Sequence, residues 1–183
     1  MTVQTASRVP WRIVGWGGAV ALLAAPFVAM QVGSSGVNWS PSDFIFAGAM
    51  FVLVGGAFEF AVRISCDWAY RGGAALALLG TLLTVWVNLA VGIVGSEDNP
   101  ANLWFFAALL VGIAGAAIAR FRAGGMSMAA LAAAISLWLA FAVALMSPTD
   151  EPLVSHGLEF AGTSIFALIF LGSAALFRKA SGA

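Results

Sequence analysis

The chain has 183 residues, of which 62% are hydrophobic and only 9% charged, with a mean hydropathy of +1.00. A water-soluble domain carries about 25% charged residues, so these proportions exclude a soluble globular protein and point to lipid as the main solvent. The formal net charge is zero, which leaves no electrostatic case for a nucleic-acid or acidic partner.

A helix needs about 20 apolar residues to cross a bilayer. Six stretches qualify, at residues 13–32, 44–62, 72–94, 103–119, 126–146 and 158–177. A membrane β-barrel would require apolar and polar residues to alternate at every second position, and runs such as "FAGAMFVLVGGAF" do not. The sequence therefore predicts an all-α polytopic membrane bundle, a single six-helix domain over residues 1–183. The first stretch has the basic start and apolar run of a secretory signal, but Pro26, Phe27, Val28, Ala29 and Met30 offer no small-x-small cleavage triplet. A retained helix, kinked at Pro26, is the expectation.

Charge orders the six spans. Arg8 and Arg12 precede the first, Arg63 and Arg71 flank the second break, Arg120 and Arg122 the fourth, and Arg178 and Lys179 follow the sixth. All fall on one side of the predicted membrane, which by the positive-inside rule is the cytoplasm, with both termini inside. Asp43, Glu97, Asp98, Asp150, Glu151 and Glu159 fall on the other. The glycine pairs Gly17-Gly18, Gly72-Gly73 and Gly124-Gly125 open the three odd-numbered spans, as in three tandem hairpins. Topology alone produces the alternating arginines, however, and a true repeat is the less favoured reading.

Small-xxx-small pairs let helices approach closely in lipid. Gly92/Ser96, Gly112/Ala116, Gly115/Ala119 and Gly157/Ala161 predict tight crossings along spans three, four and six. Trp11, Trp39, Trp68, Tyr70 and Trp104 suit the interfacial belts, whereas Trp16, Trp86 and Trp138 lie deeper and need acceptors for their indole N–H groups.

The break between spans three and four reads "GSEDNPANLWF". Its Asn-Pro-Ala triplet matches the signature of water channels, which use two copies on paired half-helices. One copy at the membrane edge is accounted for by helix capping: Asp98 or Asn99 as N-cap, and Pro100 in the first turn where a missing N–H costs little. Glu97, Asp98 and Asn99 also concentrate oxygen ligands of the kind hard cations take. No metal-binding spacing accompanies them, and a solvated acidic rim is favoured over a metal site.

Several residues inside or beside the spans have functional and structural readings. Glu59 is an ionisable group within a span, a functional candidate by default; Arg63 four residues on supplies a helical ion pair. Thr81, Thr84 and Asn88 share one helical face, and with Glu59 and Asn102 they are the candidates for a polar pathway. The competing reading is interhelical hydrogen bonding, which is commoner. His156, the single histidine, stands three residues before Glu159, a pair that could sense pH; a surface histidine is the default. One histidine cannot ligate a haem twice, and no cofactor is expected. Cys66 is the single cysteine, so no intrachain disulfide forms. Asn38-Trp39-Ser40 matches a glycosylation sequon, with Pro41 following.

The run "WVNLAVGIVGSEDNPANLWF", with the flanking "NWSPSDF" and "ARFRAGGM", resembles a group of small multi-pass bacterial membrane proteins that have no assigned activity. The resemblance extends from about Asn38 to Arg122. It implies a bacterial inner membrane and carries over no catalytic residues.

Three functions are thus weighed. The first is a structural or accessory protein acting through helix packing with a second copy or a partner membrane protein. The second is a small-solute or ion transporter or channel lined by Thr81, Thr84, Asn88 and Glu59. A membrane-embedded enzyme ranks last, because one histidine and one cysteine on opposite faces cannot form a nucleophile–base pair.

Overall fold

The computed structural model describes residues 11–33, 36–146 and 156–182. They form α1 (Trp11–Gln31), α2 (Pro41–Ile64), α3 (Trp68–Ala90), a 3-10 turn (Pro100–Asn102), α4 (Leu103–Ile118), α5 (Ala123–Met146) and α6 (His156–Ala180), with no strand among the described residues. All six helices are long and apolar enough to cross a membrane, α4 being counted together with its 3-10 turn.

Helix ends depart from the apolar windows where polar side chains set them. α2 starts at Pro41 rather than near Phe44 because Ser40 and Asp43 form a reciprocal capping box. The Ser40 N–H donates to Asp43 Oδ2 at 2.7 Å, and the Asp43 N–H donates to Ser40 Oγ at 3.4 Å. α3 starts at Trp68 because Asp67 accepts from the Ala69 N–H at 2.6 Å. α3 also stops at Ala90, so residues 91–94, expected to be helical, are instead a loop. Gly92 (φ +75°) and Gly95 (φ +67°) turn the chain there in the left-handed region that only glycine enters without strain.

The chain divides into two compact units, residues 1–57 and 58–183. In the first, the Trp16 ring of α1 lies on Gly55 of α2, where an added Cβ would come within 2.9 Å of it. Leu23 covers Gly48, and Phe27 meets Phe44 edge-on at 6.5 Å between centroids.

In the second unit α5 packs against both α4 and α6, and α6 packs against α3; α3 and α4, although consecutive, barely touch. Lipid tails are as apolar as leucine, so these contacts depend on close approach and hydrogen bonds. On α4, Gly112 and Gly115 admit Ala133 and Ala129 of α5, whose Cβ atoms lie 3.0 and 2.9 Å from where a glycine Cβ would stand. The α3–α6 seam pairs glycine with aromatic rings: Gly73 lies under Phe177 and Gly80 under Phe170. The Ser173 hydroxyl donates across that seam to Gly73 O at 2.8 Å, and Ser127 Oγ joins α5 to Ala174 O of α6 at 2.8 Å. The expected pair Gly92/Ser96 belongs to the loop rather than to a helix crossing, and Gly157 and Ala161 are exposed. Small residues of α3, not those two of α6, make the α3–α6 crossing.

One end of this unit is gathered by Tyr70, whose hydroxyl donates to Phe121 O at 2.8 Å and whose ring meets Phe177 at 5.1 Å. Phe60 meets Phe121 at 5.2 Å. Arg63, Arg71, Arg120, Arg122, Arg178 and Lys179 all belong to the segments joined here. Arg71 donates to Ser65 O and Val62 O, at 2.8 and 3.2 Å, which closes the C-terminus of α2. Lys179 lies over the Trp68 ring at 4.4 Å. The opposite end carries Glu97, Asp98 and Glu159.

Candidate functional site

The densest polar arrangement in the described residues is at that acidic end, where the loop between α3 and α4 folds inward. Ile93, Val94, Asn99, Ala101 and Asn102 are all buried. A buried loop has no water to satisfy its peptide groups, so each N–H and C=O needs a partner from the protein. Asn102 meets most of this demand. Its Oδ1 accepts from the N–H groups of Ile93 (3.1 Å) and Val94 (3.0 Å), and its Nδ2 donates to Val94 O (3.1 Å) and Ser96 O (2.7 Å). The Asn102 carbonyl accepts from Asn88 Nδ2 at 2.9 Å.

The Asn-Pro-Ala triplet sits at the base of this knot. Asn99 is the N-cap of the 3-10 turn, its Oδ1 accepting from the Ala101 N–H at 2.9 Å, and Pro100 is the first residue of the turn. The triplet thus begins a helical segment. Glu97 and Asp98 beside it are exposed. No group of three or more His, Cys, Asp or Glu side chains that could hold a metal ion occurs among the described residues. Asp150 and Glu151 lie outside the described residues.

α6 closes over the loop through Glu159. Its carboxylate is buried, with Oε1 accepting from the Gly95 N–H at 3.0 Å and Oε2 lying 3.2 Å from His156 Nδ1. The histidine ring itself is exposed, with 67% of its side-chain surface open. Glu159 therefore joins α6 to the α3–α4 loop, and His156 flanks that junction from the solvent side.

The Thr81/Thr84/Asn88 face of α3 points into the protein. Thr84 and Asn88 are buried, at 1% and 2% exposure. The two threonine hydroxyls donate back to their own helix, Thr81 to Ala77 O at 2.9 Å and Thr84 to Gly80 O at 2.7 Å. Glu59 stands apart from this group. Its Oε2 lies 3.6 Å from Arg63, with 19% of the Glu59 side chain and 72% of the Arg63 side chain exposed. The fold thus brings Asn88, Asn102, His156 and Glu159 to one end, and leaves Glu59 among the cationic segments.

Among the described residues, two buried side-chain polar atoms lack a hydrogen-bond partner: Asn88 Oδ1 and Thr163 Oγ1. Thr163, fully buried on α6, and Ser173 on the same helix are not among the sequence candidates, although they are hydroxyl residues like Thr81 and Thr84. A signal was present, since Glu159, Thr163, Phe166, Phe170, Ser173 and Phe177 follow helical spacing and mark one face. Trp138 also finds a partner, donating to Ser164 Oγ at 3.3 Å.

Comparison of the chain with protein-family models, curated proteins and solved structures finds no match.

Proposed function

We propose that this chain is a structural or accessory protein of the bacterial inner membrane that works through helix packing, with a second copy or a partner membrane protein. The observation that supports it most is how its intramembrane polar groups are used. Thr81, Thr84, Asn88, Asn102, Ser127 and Ser173 each donate to a backbone carbonyl of this chain. Thr81 and Thr84 are satisfied within α3, and the other four join helices and loops to one another. Groups lining a pathway would present donors and acceptors to water or cargo. The bacterial assignment draws on the resemblance of the motif around residues 86–105, and the cationic end is placed in the cytoplasm by the positive-inside rule.

Native mass measurement and crosslinking in membranes test the packing reading, which expects an assembly larger than one chain; a monomer alone refutes it. Orientation is tested by cysteine labelling in intact cells. Cys66, exposed at the cationic end, should react with an impermeant maleimide only after lysis, while Asp98→Cys in a Cys66→Ser background should react at once. The reverse pattern inverts the topology.

A second reading, a small-solute or ion transporter, is favoured by one specific observation, the two unpartnered buried oxygens Asn88 Oδ1 and Thr163 Oγ1. It expects a flux that falls in Glu59→Gln and Asn88→Leu variants that still fold.

A further inference from the structure

The packing register of α3 against α6 places Asn88 and Thr163, each with an unpartnered buried oxygen, at the same level of the seam. The two helices run antiparallel, and their contacts fix the register: Gly73 with Phe177, Leu76 with Gly172, Gly80 with Phe170. Seven residues forward on α3 from Gly73 to Gly80 correspond to seven backward on α6 from Phe177 to Phe170. Another seven or eight bring Asn88 opposite Thr163, one turn short of Glu159 and its bond to Gly95. Both side chains are buried, at 2% and 0% exposure.

The orientation of the Asn88 amide is fixed by chemistry. Its other end faces Asn102 O, which can only accept, so the nitrogen must lie there and the oxygen must point away. Thr163 is also unlike its counterparts on α3. Thr81 and Thr84 return their hydroxyls to the carbonyl four residues back, and Thr163 does not. An unpartnered acceptor and an unpartnered hydroxyl thus belong to residues at one level of the seam, and leaving both unbonded in an apolar setting is costly.

We propose that Asn88 and Thr163 form a binding site for one buried water molecule that bridges α3 and α6. The Thr163 O–H donates to the water oxygen, and a water O–H donates to Asn88 Oδ1, so both orphaned groups gain a partner. A water satisfies this pair because it donates and accepts at once. A monovalent cation does not: it gives nothing to the Thr163 proton, and two neutral oxygens replace too little of its hydration to offset burial at membrane depth. The inference is independent of the assembly state proposed above.

Water-edited solid-state NMR on the full chain in lipid bilayers tests it. A long-lived water resonance should show cross-peaks to the Asn88 side-chain amide and to the Thr163 methyl group, assigned by selective labelling. Thr163→Val, which removes the hydroxyl at nearly constant volume, should reduce the Asn88 cross-peak to background, and Thr163→Ser should retain it. Absence of the cross-peak in the folded wild type, or its persistence unchanged in Thr163→Val, overturns the site. So does a direct Thr163-to-Asn88 hydrogen bond in a crystal structure that resolves ordered waters. Replacing choline chloride by sodium chloride should leave the Asn88 and Thr163 resonances in place; sodium-dependent shifts there would assign the site to a cation and refute the water.

Discussion

Asn102→Ala is the substitution to which the second unit should be most sensitive for its size. Four hydrogen bonds end on this one side chain, two from backbone N–H groups and two to backbone carbonyls, in a loop that is largely buried. A buried donor left without a partner costs about 1–3 kcal/mol, so orphaning the Ile93 and Val94 N–H groups accounts for about 2–6 kcal/mol. The carbonyls add less, because they tolerate under-satisfaction better. Partial relaxation of the loop reduces the total, giving an expected loss of about 3–5 kcal/mol. Asn102→Asp keeps the acceptor, loses both donors and sets a carboxylate against Val94 O and Ser96 O, so it should cost nearly as much. The assay is unfolding in mixed micelles by a denaturing detergent, followed by tryptophan fluorescence. A loss below about 1 kcal/mol in Asn102→Ala, within the range of an ordinary surface change, would refute the claim that this residue holds the loop.

Four further substitutions probe other parts of the fold by the same assay. α4 ends with Arg120 N donating to Ala117 O and Phe121 N to Ala116 O, and with Arg120 at φ 48° and Phe121 at φ 58°. The left-handed region costs a non-glycine residue about 1–2 kcal/mol, so Arg120→Gly should stabilise by about 0.5–1 kcal/mol after its entropic penalty, whereas Phe121→Gly should not, because it loses the Phe60 contact. Gly115→Val forces a side chain against the Ala129 backbone, 3.2 Å from where the Cβ would stand, and should cost about 1–3 kcal/mol by overpacking; an unchanged midpoint would show that α4 and α5 do not approach this closely. Glu59→Gln breaks a half-exposed ion pair and should change stability by at most about 0.5 kcal/mol.

Much of the architecture was legible because lipid imposes it. Backbone groups in hydrocarbon must be bonded within the chain, so a run of apolar residues of sufficient length has little choice but helix. The ends were less legible, since hydropathy does not register a capping box such as Ser40/Asp43 or a cap such as Asp67, and a polar first turn falls outside an apolar window. The largest miss is at residues 91–94, which are apolar enough to extend a helix and yet form a buried loop. Two features explain that outcome: Gly92 and Gly95 supply the left-handed turns, and Asn102, several residues downstream, supplies the hydrogen bonds that make burial tolerable. Local pattern cannot show the second, because it depends on where α4 returns. The contribution of Gly73 and Gly80 was hidden for a similar reason: a glycine opposite a distant phenylalanine follows no short sequence spacing.

Glu59 and Glu159, both in the second unit, show how depth along the sequence differs from depth in the fold. Glu59 lies well inside an apolar run and draws attention as an intramembrane acid, whereas Glu159 stands at the start of a span and reads as part of an exposed rim. The structure gives Glu59 a partner one turn away, at the end of α2 where cations collect. It buries Glu159, because the inward-folded loop presents the Gly95 N–H to α6 and only an acceptor on the first turn of that helix can reach it. A carboxylate at a helix N-terminus is already favoured by the exposed N–H groups of the first turn, so the same residue can serve both the helix and the loop. The amide oxygen of a glutamine could take over the Gly95 bond, and an alanine could not. Glu159→Gln should therefore retain most of the stability that Glu159→Ala loses, which would assign the residue's structural role to its oxygen rather than to its charge.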